Sequence, residues 1–294
     1  MKIYIASSEK HVGKIQEDIY MRNAYRDRRF PCEIATLKNI VKISKPFDVV
    51  LLKSIWGYYL HYQEFLEQIS ALRKKNVRLI NDYGFIFWNI DKYKYLHELK
   101  NLNIVPTIFL SFKKTKKVYE IKNIILQANK TLNTDTLVIK PCISESGYLT
   151  LKYDKMKDDK VIIILLQQNK QLDFISQPYR PDISTGELSV VVINGILLYG
   201  INRFPGIFTK KLNPTYIRFV NLPDVIKKEV GILKTFFLKK FGIFPNICRV
   251  DFLKHNIDYE LLEVELIDPD LFFRYIPDSM KEKVTFMIYK SFVK

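Results

Sequence analysis

The sequence predicts a mixed α/β (α+β) fold, with parallel strands joined by helical crossovers in the first third of the chain and antiparallel hairpins in the last. Near the N-terminus, short β-rich runs alternate with an amphipathic stretch, the pattern of strands linked by crossovers. Further on, Asn194-Gly195 separates two apolar runs and is a strong short-range hairpin signal. A second pair of apolar runs flanks a polar turn at His255-Asn256.

Taken in order, Lys2 to Ala6, Phe47 to Lys53 and Arg78 to Ile80 read as strands, with Glu64 to Lys75 as a helix between the last two. A helix beginning near Ile90 carries Tyr93, Leu96 and Leu99 at helical spacing and leads into an apolar strand, Ile104 to Leu110. Val118 to Gln127 follows as a helix, then Thr136 to Lys140 as a strand stopped by Pro141. Leu188 to Ile193 and Ile196 to Ile201 form the first hairpin. Pro223 to Phe241 presents Val225, Ile226, Val230, Leu233, Phe236 and Phe237 on a helical face, closed by Gly242. Ile247 to Leu253 and Tyr259 to Ile267 form the second hairpin. A first domain boundary is placed near residue 90, and the sequence has no internal repeat or low-complexity tract.

Composition narrows the function classes. With 294 residues, 48% hydrophobic and 27% charged, the chain can bury a large core, which argues against extended disorder. Forty-seven Lys and Arg against 31 Asp and Glu give a formal charge of +16, which favours phosphates, nucleic acid or an anionic surface as partners. The basic residues fall in short clusters, such as Lys113 to Lys117 and Lys152 to Lys160, that read as solvated faces rather than a nucleic-acid stripe. Cys32, Cys142 and Cys248 are widely separated, so neither a zinc knuckle nor a disulfide framework is expected. The apolar run in MKIYIASSEK is too short for a signal sequence or a membrane span, and a cytoplasmic protein with no membrane partner is expected. The four histidines, His11, His61, His97 and His255, enter no nucleophilic triad or dyad arrangement and read as surface residues.

The second hairpin carries the most chemistry. Strand side chains alternate, so Glu263 and Glu265 project from one side while Leu262, Val264 and Leu266 project from the other. A turn near Asn256 sets Asp251 opposite residues 261 to 263, within reach of Glu263. Three clustered anions in an apolar sheet repel one another unless a cation sits among them, and oxygen ligands of this kind suit Mg²⁺. The same residues also fit a polar outer face paired with lysines.

These residues resemble a known pattern. Arg249, Asp251, Glu263 and Glu265 match the R-x-D and E-x-E of the ATP-grasp superfamily. The ordered set Leu52-Lys53-Ser54, Trp56-Gly57-Tyr58, Trp88 to Lys92, Val138 to Pro141, Gln177-Pro178-Tyr179, Gly186 to Ser189 and Asp268 to Leu271 resembles the branch containing the ligase of D-cycloserine biosynthesis and related carboxylate-amine ligases. The resemblance covers most of the chain. It implies an N-terminal parallel α/β pre-grasp domain (1–90), a small ATP-grasp lobe (91–180) and a C-terminal lobe with the metal site (181–294).

What the resemblance implies for the site is specific. Lys92 and Lys140 take the positions that clamp ATP phosphates, and Ser144 to Gly147 those of the flexible loop over the triphosphate, although this loop has one glycine and Glu145 adds a negative charge beside the anion. Gln177 and Tyr179 stand at the adenine-binding hinge and Glu187 at the position that accepts from the ribose hydroxyls. Asp251, Glu263 and Glu265 would bind Mg²⁺ or Mn²⁺, and Arg249 would offset charge on the transferring phosphoryl group. Arg203 corresponds to a basic residue facing nucleotide or acceptor, but the segment from Ile207 to Arg218 departs from the family pattern. Lys53, Trp56 and Tyr58 are expected to shape the acceptor pocket.

The expected activity is ATP- and Mg-dependent ligation of a carboxylate to an amine through an acyl phosphate, on a small amino acid, peptide or sugar acid. A kinase on the same fold would phosphorylate a hydroxyl instead. A basic nucleic-acid-binding or interaction protein is the alternative of another class, because its 18 Tyr and 20 Phe could stack bases; most of them fall at core spacing, so no nucleic acid is expected. A homodimer is compatible with the resemblance.

Overall fold

The structure, a computed structural model, describes residues 1–157, 159–204 and 214–292. Its N-terminal layer is a parallel sheet built from β1 (Ile3–Ser7), β2 (Cys32–Thr36), β3 (Val49–Ser54) and β4 (Arg78–Ile80) in the order β2-β1-β3-β4. The crossovers are α1 (Gln16–Asp27), α2 (Leu37–Ile43) and α3 (Tyr62–Lys74), and α4 (Tyr83–Asn89) and α5 (Lys92–Glu98) follow β4. Both faces are covered, as a parallel sheet requires. Ile3, Ile5, Val49 and Leu51 pack on α1 and the C-terminal helix, and Tyr4, Ala6, Val50 and Leu52 pack on α2 and α3.

A second, antiparallel sheet comprises β5 (Ile108–Ser111), β6 (Thr136–Pro141), β7 (Leu151–Asp154) and β8 (Asp173–Pro178) in the order β5-β8-β6-β7. Helices α6 (Val118–Thr131) and α7 (Lys160–Gln168) bury Ile121, Ile125, Ile162 and Leu166 against it. The third sheet has the order β11-β10-β9-β12-β13, from β9 (Glu187–Ile193), β10 (Ile196–Arg203), β11 (Thr215–Arg218), β12 (Ile247–His255) and β13 (Asp258–Glu265). Helix α8 (Asp224–Phe241) covers one face, and α9 (Asp278–Lys290) shares the core on the other with the parallel sheet.

The predicted hairpins are present. At Asn194-Gly195 both residues have positive φ, 50° and 76°, as a tight hairpin turn needs. The strand predicted from Ile104 is shorter and starts at Ile108, because Pro106 has no N–H to give a ladder; Ile104 instead makes a lone parallel bridge to Leu261. Pro141 ends β6 as its last paired residue, opposite Phe174. The expectation for Leu262 is corrected. The register shifts between Asp251↔Glu263 and Phe252↔Leu261, so Leu262 is the extra residue of a β-bulge and lines the cleft, while Leu261, Val264 and Leu266 enter the core.

One face of the third sheet changes character along its strands, and this places the site. At one end Val191, Ile193, Ile201 and Ile247 pack against the parallel sheet. Two to four residues further along, the same face presents Arg249, Asp251, Ser189, Glu187 and Arg203, with Glu263 opposite Asp251 and Glu265 opposite Arg249.

Candidate nucleotide and metal site

This charged patch is the floor of a cleft of about 460 Å³ between the second and third sheets, within the size range of small-molecule pockets. Asp251 lies beneath it, 1% exposed. Arg249 binds it with two prongs, Nε to Oδ1 at 2.9 Å and Nη2 to Oδ2 at 2.9 Å, and Arg203 adds a third contact at 3.1 Å. Burial opposes ionisation of Asp251, but the two guanidiniums outweigh it and hold the carboxyl down at about 2.

Arg203 also donates to Ser189 Oγ at 2.8 Å and pairs with Glu187 at the start of β9. Gly186, with φ of 112°, makes the approach to β9; a Cβ there would stand 2.2 Å from the Asn202 side chain. Burial pushes the Glu187 carboxyl up to about 7 despite Arg203, with Asp251 adding to the effect. Glu187 is thus an ion-paired strand residue facing the cleft rather than a turn cap.

The opposite wall reaches down to Glu263. Lys92, the first residue of α5, stands 3.0 Å from Glu263 Oε1, and Lys140 of β6 stands 3.6 Å from Oε2. Burial disfavours both ionised partners. Glu263 and Glu265 nevertheless keep Lys92 protonated, and the two lysines hold the Glu263 carboxyl below its ordinary value. Lys92 also donates to the Ser144 carbonyl. Glu265 is less well compensated, with Arg249 at 3.4 Å, and burial pushes it up to about 7.

The loop above the cleft bends through two consecutive left-handed residues, Ser146 and Gly147, with φ of 50° and 74°. Ser144, Glu145, Ser146 and Gly147 all line the cleft, and Ser144 Oγ donates to the Pro141 carbonyl at 3.0 Å. Glu145 does not point into the cleft's anion space alone, since it accepts the Gly57 N–H of the N-terminal layer, and Tyr148 of the same loop lies 4.7 Å from the Tyr59 ring.

At the far end the lining turns apolar, with Val105, Val138, Ile183, Leu253 and Leu262 around Tyr179. The Tyr179 N–H is committed to the Thr136 carbonyl at 2.9 Å, and Gln177 donates from Nε2 to Thr107 Oγ1 at 2.8 Å. Lys152 sits over the Tyr179 ring, 3.6 Å from its centroid.

The nucleotide-site residues singled out from the sequence, Lys92, Lys140, Ser144, Gly147, Gln177, Tyr179, Glu187, Arg203, Arg249, Glu263 and Glu265, thus line one cleft, with Asp251 as the buried counterion beneath it, whereas Lys53 lines a neighbouring cavity. Among the described residues no three His, Cys, Asp or Glu side chains already converge as a metal centre. The donor set is nevertheless all oxygen and short of positive charge, with Glu265 raised to about 7 and Asp268 carrying a buried Oδ2 that meets no donor. Such a set fits a hard divalent cation. Asp251 becomes available to it when Arg249 or Arg203 turns to another anion. Sequence reasoning missed the Arg180–Glu260 clasp on the rim, joined by bonds of 2.7 and 2.8 Å, because nothing local links residues so far apart. It assigned no role to Asp268, Asp270 and Arg274, which line the cleft. Tyr58 packs on Phe65, 4.8 Å between rings, and is not among the residues lining the cleft. Of the segment from Ile207 to Arg218, residues 207–213 lie outside the described residues.

Residues 3–81 match the family described as the N-terminal domain of D-cycloserine synthetase DcsG. No curated protein matches the sequence. Over its whole length the chain is similar in structure to D-cycloserine synthetase DcsG, with TM-score 0.79 and 16% identity over 99% of each chain. It is similar to D-alanine–D-alanine ligase from Bacillus anthracis, with TM-score 0.67 and 16% identity over 100% of this chain and 97% of that one. The ATP-grasp ligase PsnB, solved with minimal precursor, Mg and ADP, gives TM-score 0.63 and 12% identity over 99% and 98%. The chain has an ATP-grasp fold resembling that of DcsG.

Proposed function

We propose that this ATP-grasp chain is an ATP- and Mg-dependent carboxylate-amine ligase that releases ADP and works through an acyl phosphate. The observation that carries the reading is the convergence on Glu263 of two lysines from separate elements of the upper wall, in a cleft whose floor supplies two arginines and two further carboxylates. We take residues 1–90 as the pre-grasp domain, 91–180 as the small lobe and 181–294 as the lobe bearing the metal ligands.

In this reading Lys92 and Lys140 leave Glu263 for the phosphates, the loop at Ser144 to Gly147 covers them, and Glu187 accepts from the ribose hydroxyls. The apolar end around Val138, Leu262 and Tyr179 encloses the adenine beside the hinge at Gln177. Asp251, Glu263 and Glu265 would hold Mg²⁺, which when bound neutralises phosphate charge. A substrate carboxylate oxygen attacks the γ-phosphorus and ADP leaves. The amine nitrogen then attacks the acyl carbon, phosphate departs, and the amine proton passes to solvent. Arg249 and Arg203 line the cleft beside the transferring group and offset its charge. No protein nucleophile takes part.

The test is calorimetric titration of Mg-ATP, or its non-hydrolysable analogue, into wild type and a Glu263→Ala, Glu265→Ala double variant at fixed salt. Submillimolar binding by the wild type, weakened at least tenfold in the variant, is expected, followed by ADP release that depends on both an acid and an amine. Absence of Mg-dependent binding by folded wild type would falsify the reading. ADP release with phosphate retained on a hydroxyl acceptor would move it to a kinase.

A further inference from the structure

Strand β13 closes the third sheet at an edge, so one side of its backbone has no neighbouring strand in that sheet. Buried edge groups of this kind must find other partners. On the turn side of the bulge the backbone supplies them. The Leu261 N–H donates to the Asn103 carbonyl at 2.7 Å, and the Leu261 carbonyl accepts from the Val105 N–H at 2.9 Å. Past the bulge the partners are side chains. The Val264 N–H reaches Tyr95 Oη at 3.4 Å, and the Val264 carbonyl accepts from Asn89 Nδ2 at 2.8 Å. The Leu266 N–H donates to Asn89 Oδ1 at 2.8 Å, and the Leu266 carbonyl accepts from Asn81 Nδ2 at 2.8 Å. Three side chains thus take the place of a strand.

Asn89 is the one that bears on the cleft, although it does not line it. Its carboxamide, 6% exposed, offers a donor and an acceptor as a peptide group does, and it closes on the residues to either side of Glu265. The amide has one orientation, because the Leu266 N–H needs an oxygen and the Val264 carbonyl needs an N–H. With the backbone held at 264 and 266, the alternation of strand side chains sends Glu265 to the cleft face, opposite Arg249. Asn89 ends α4, and three residues later Lys92 opens α5 and pairs with Glu263 of the same strand at 3.0 Å. One short segment therefore grips β13 at both cleft-facing carboxylates, through the backbone at one and the side chain at the other.

We infer that Asn89 is a positioning residue for the divalent cation, setting the direction in which Glu265 presents its carboxylate. The inference rests on the reading of Glu265 as a metal ligand. Partners that hold a ligand in place commonly carry roughly ten- to a hundredfold of a metal's affinity. By linkage the effect runs both ways, so a bound ion must tighten the clasp that favours it.

The experiment is calorimetric titration of a non-hydrolysable ATP analogue into the full chain, with and without Mn²⁺, for wild type, Asn89→Asp, Glu265→Ala and the double variant. Asn89→Asp keeps the shape of the side chain but sets an oxygen against the Val264 carbonyl. The factor by which Mn²⁺ tightens analogue binding is expected to fall about tenfold or more, with the metal-free affinity within about threefold of wild type. In the Glu265→Ala background the same change should cost less than about twofold. An equal loss with and without Mn²⁺, an equal loss in both backgrounds, or an undiminished Mn²⁺ factor overturns the inference. Should Asn89→Asp not fold, hydrogen exchange on wild type decides. The Leu266 amide is expected to slow by about threefold or more when Mn²⁺ joins the analogue, and an unchanged rate overturns the inference. A wild type that binds the analogue no better with Mn²⁺ than without it removes the metal reading itself, and this inference with it.

Discussion

The two neighbouring cavities are both lined by buried carboxylates, yet they solve the problem of burying them in opposite ways. In the cleft between the second and third sheets Asp251, Glu187, Glu263 and Glu265 each face at least one Lys or Arg, and only Glu145 keeps an oxygen without a donor among the described carboxylates that line this cleft alone. In the second cavity Glu17 and Asp270 are paired with Lys53 and Arg274, but Asp18, and Asp268 at the junction of the two cavities, each keep an oxygen that meets no donor. The first arrangement is self-neutralising and must be taken apart for a ligand to enter. The second leaves two carboxylate oxygens without a donor. Buried carboxylates therefore do not mark one kind of site, and what separates them is whether the counter-charge comes from the chain.

The strongest way to break the contrast is to neutralise one carboxylate of each kind. Asp251→Asn leaves Arg249 and Arg203 without their shared anion and is expected to cost about 3 kcal/mol of unfolding free energy at pH 8, read by urea denaturation. Asp18→Asn should do the reverse. Burial raises Asp18 from 3.8 to about 6, so above pH 6 its charge destabilises the folded chain, and removing it should gain about 1 kcal/mol at pH 8. The gain should vanish by pH 4, where the folded protein carries Asp18 neutral. Loss of stability in both variants to a similar extent would erase the distinction.

A pH series on the ligand-free wild type sharpens it further. Glu187 and Glu265 rise from 4.5 to about 7, so the folded state holds protons that the unfolded state has released between those values. Stability should therefore fall as pH rises from about 4.5 to 7, by on the order of 1–3 kcal/mol with Asp18 included, and level off above. Asp251 acts oppositely. Its depressed value, about 2, contributes stability that is present above pH 4 and lost as pH falls toward 2. Thermal melts across pH 2 to 9 should thus peak between roughly 4 and 5. The smallest effect is expected at the loop: Glu145→Ala frees it from the Gly57 N–H and should speed release of a fluorescent ATP analogue about threefold in stopped flow, with the fold unaffected.

Much of the cleft's floor was legible in the sequence because a hairpin is local. Once the turn near Asn256 is located, Asp251 must lie opposite residues 261 to 263, within reach of Glu263; its pairing with Glu263, and that of Arg249 with Glu265, follows from the bulge. The bulge at Leu262 was not legible, since period-2 reading carries no signal for one extra residue. Helix α1 was also unread. Its N-cap is Ile15, which offers no side-chain cap, and its run MRNAYRD hides the core positions Met21 and Tyr25 among charges. With α1 unread, Glu17 and Asp18 had no place, and the second cavity was invisible. Strand β2 passes into α2 at Thr36 with no Gly or Pro to mark the junction. The meeting of Lys92 and Lys140 at Glu263 spans more than a hundred residues and was not read from the sequence; the resemblance implied only that both lysines face the phosphates.

In the proposed reading, the shared grip of Lys92 and Lys140 on Glu263 gives the free protein a form of coincidence detection. Phosphates alone would have to strip two lysines from a buried carboxylate and leave it bare, while a divalent ion alone would free those lysines with nothing to hold. Each event is costly by itself, and each removes the other's cost. By thermodynamic reciprocity, the factor by which Mg²⁺ tightens ATP binding must equal the factor by which ATP tightens Mg²⁺ binding. In the proposed reading the cleft would therefore respond more steeply to the metal-nucleotide complex than to either component alone.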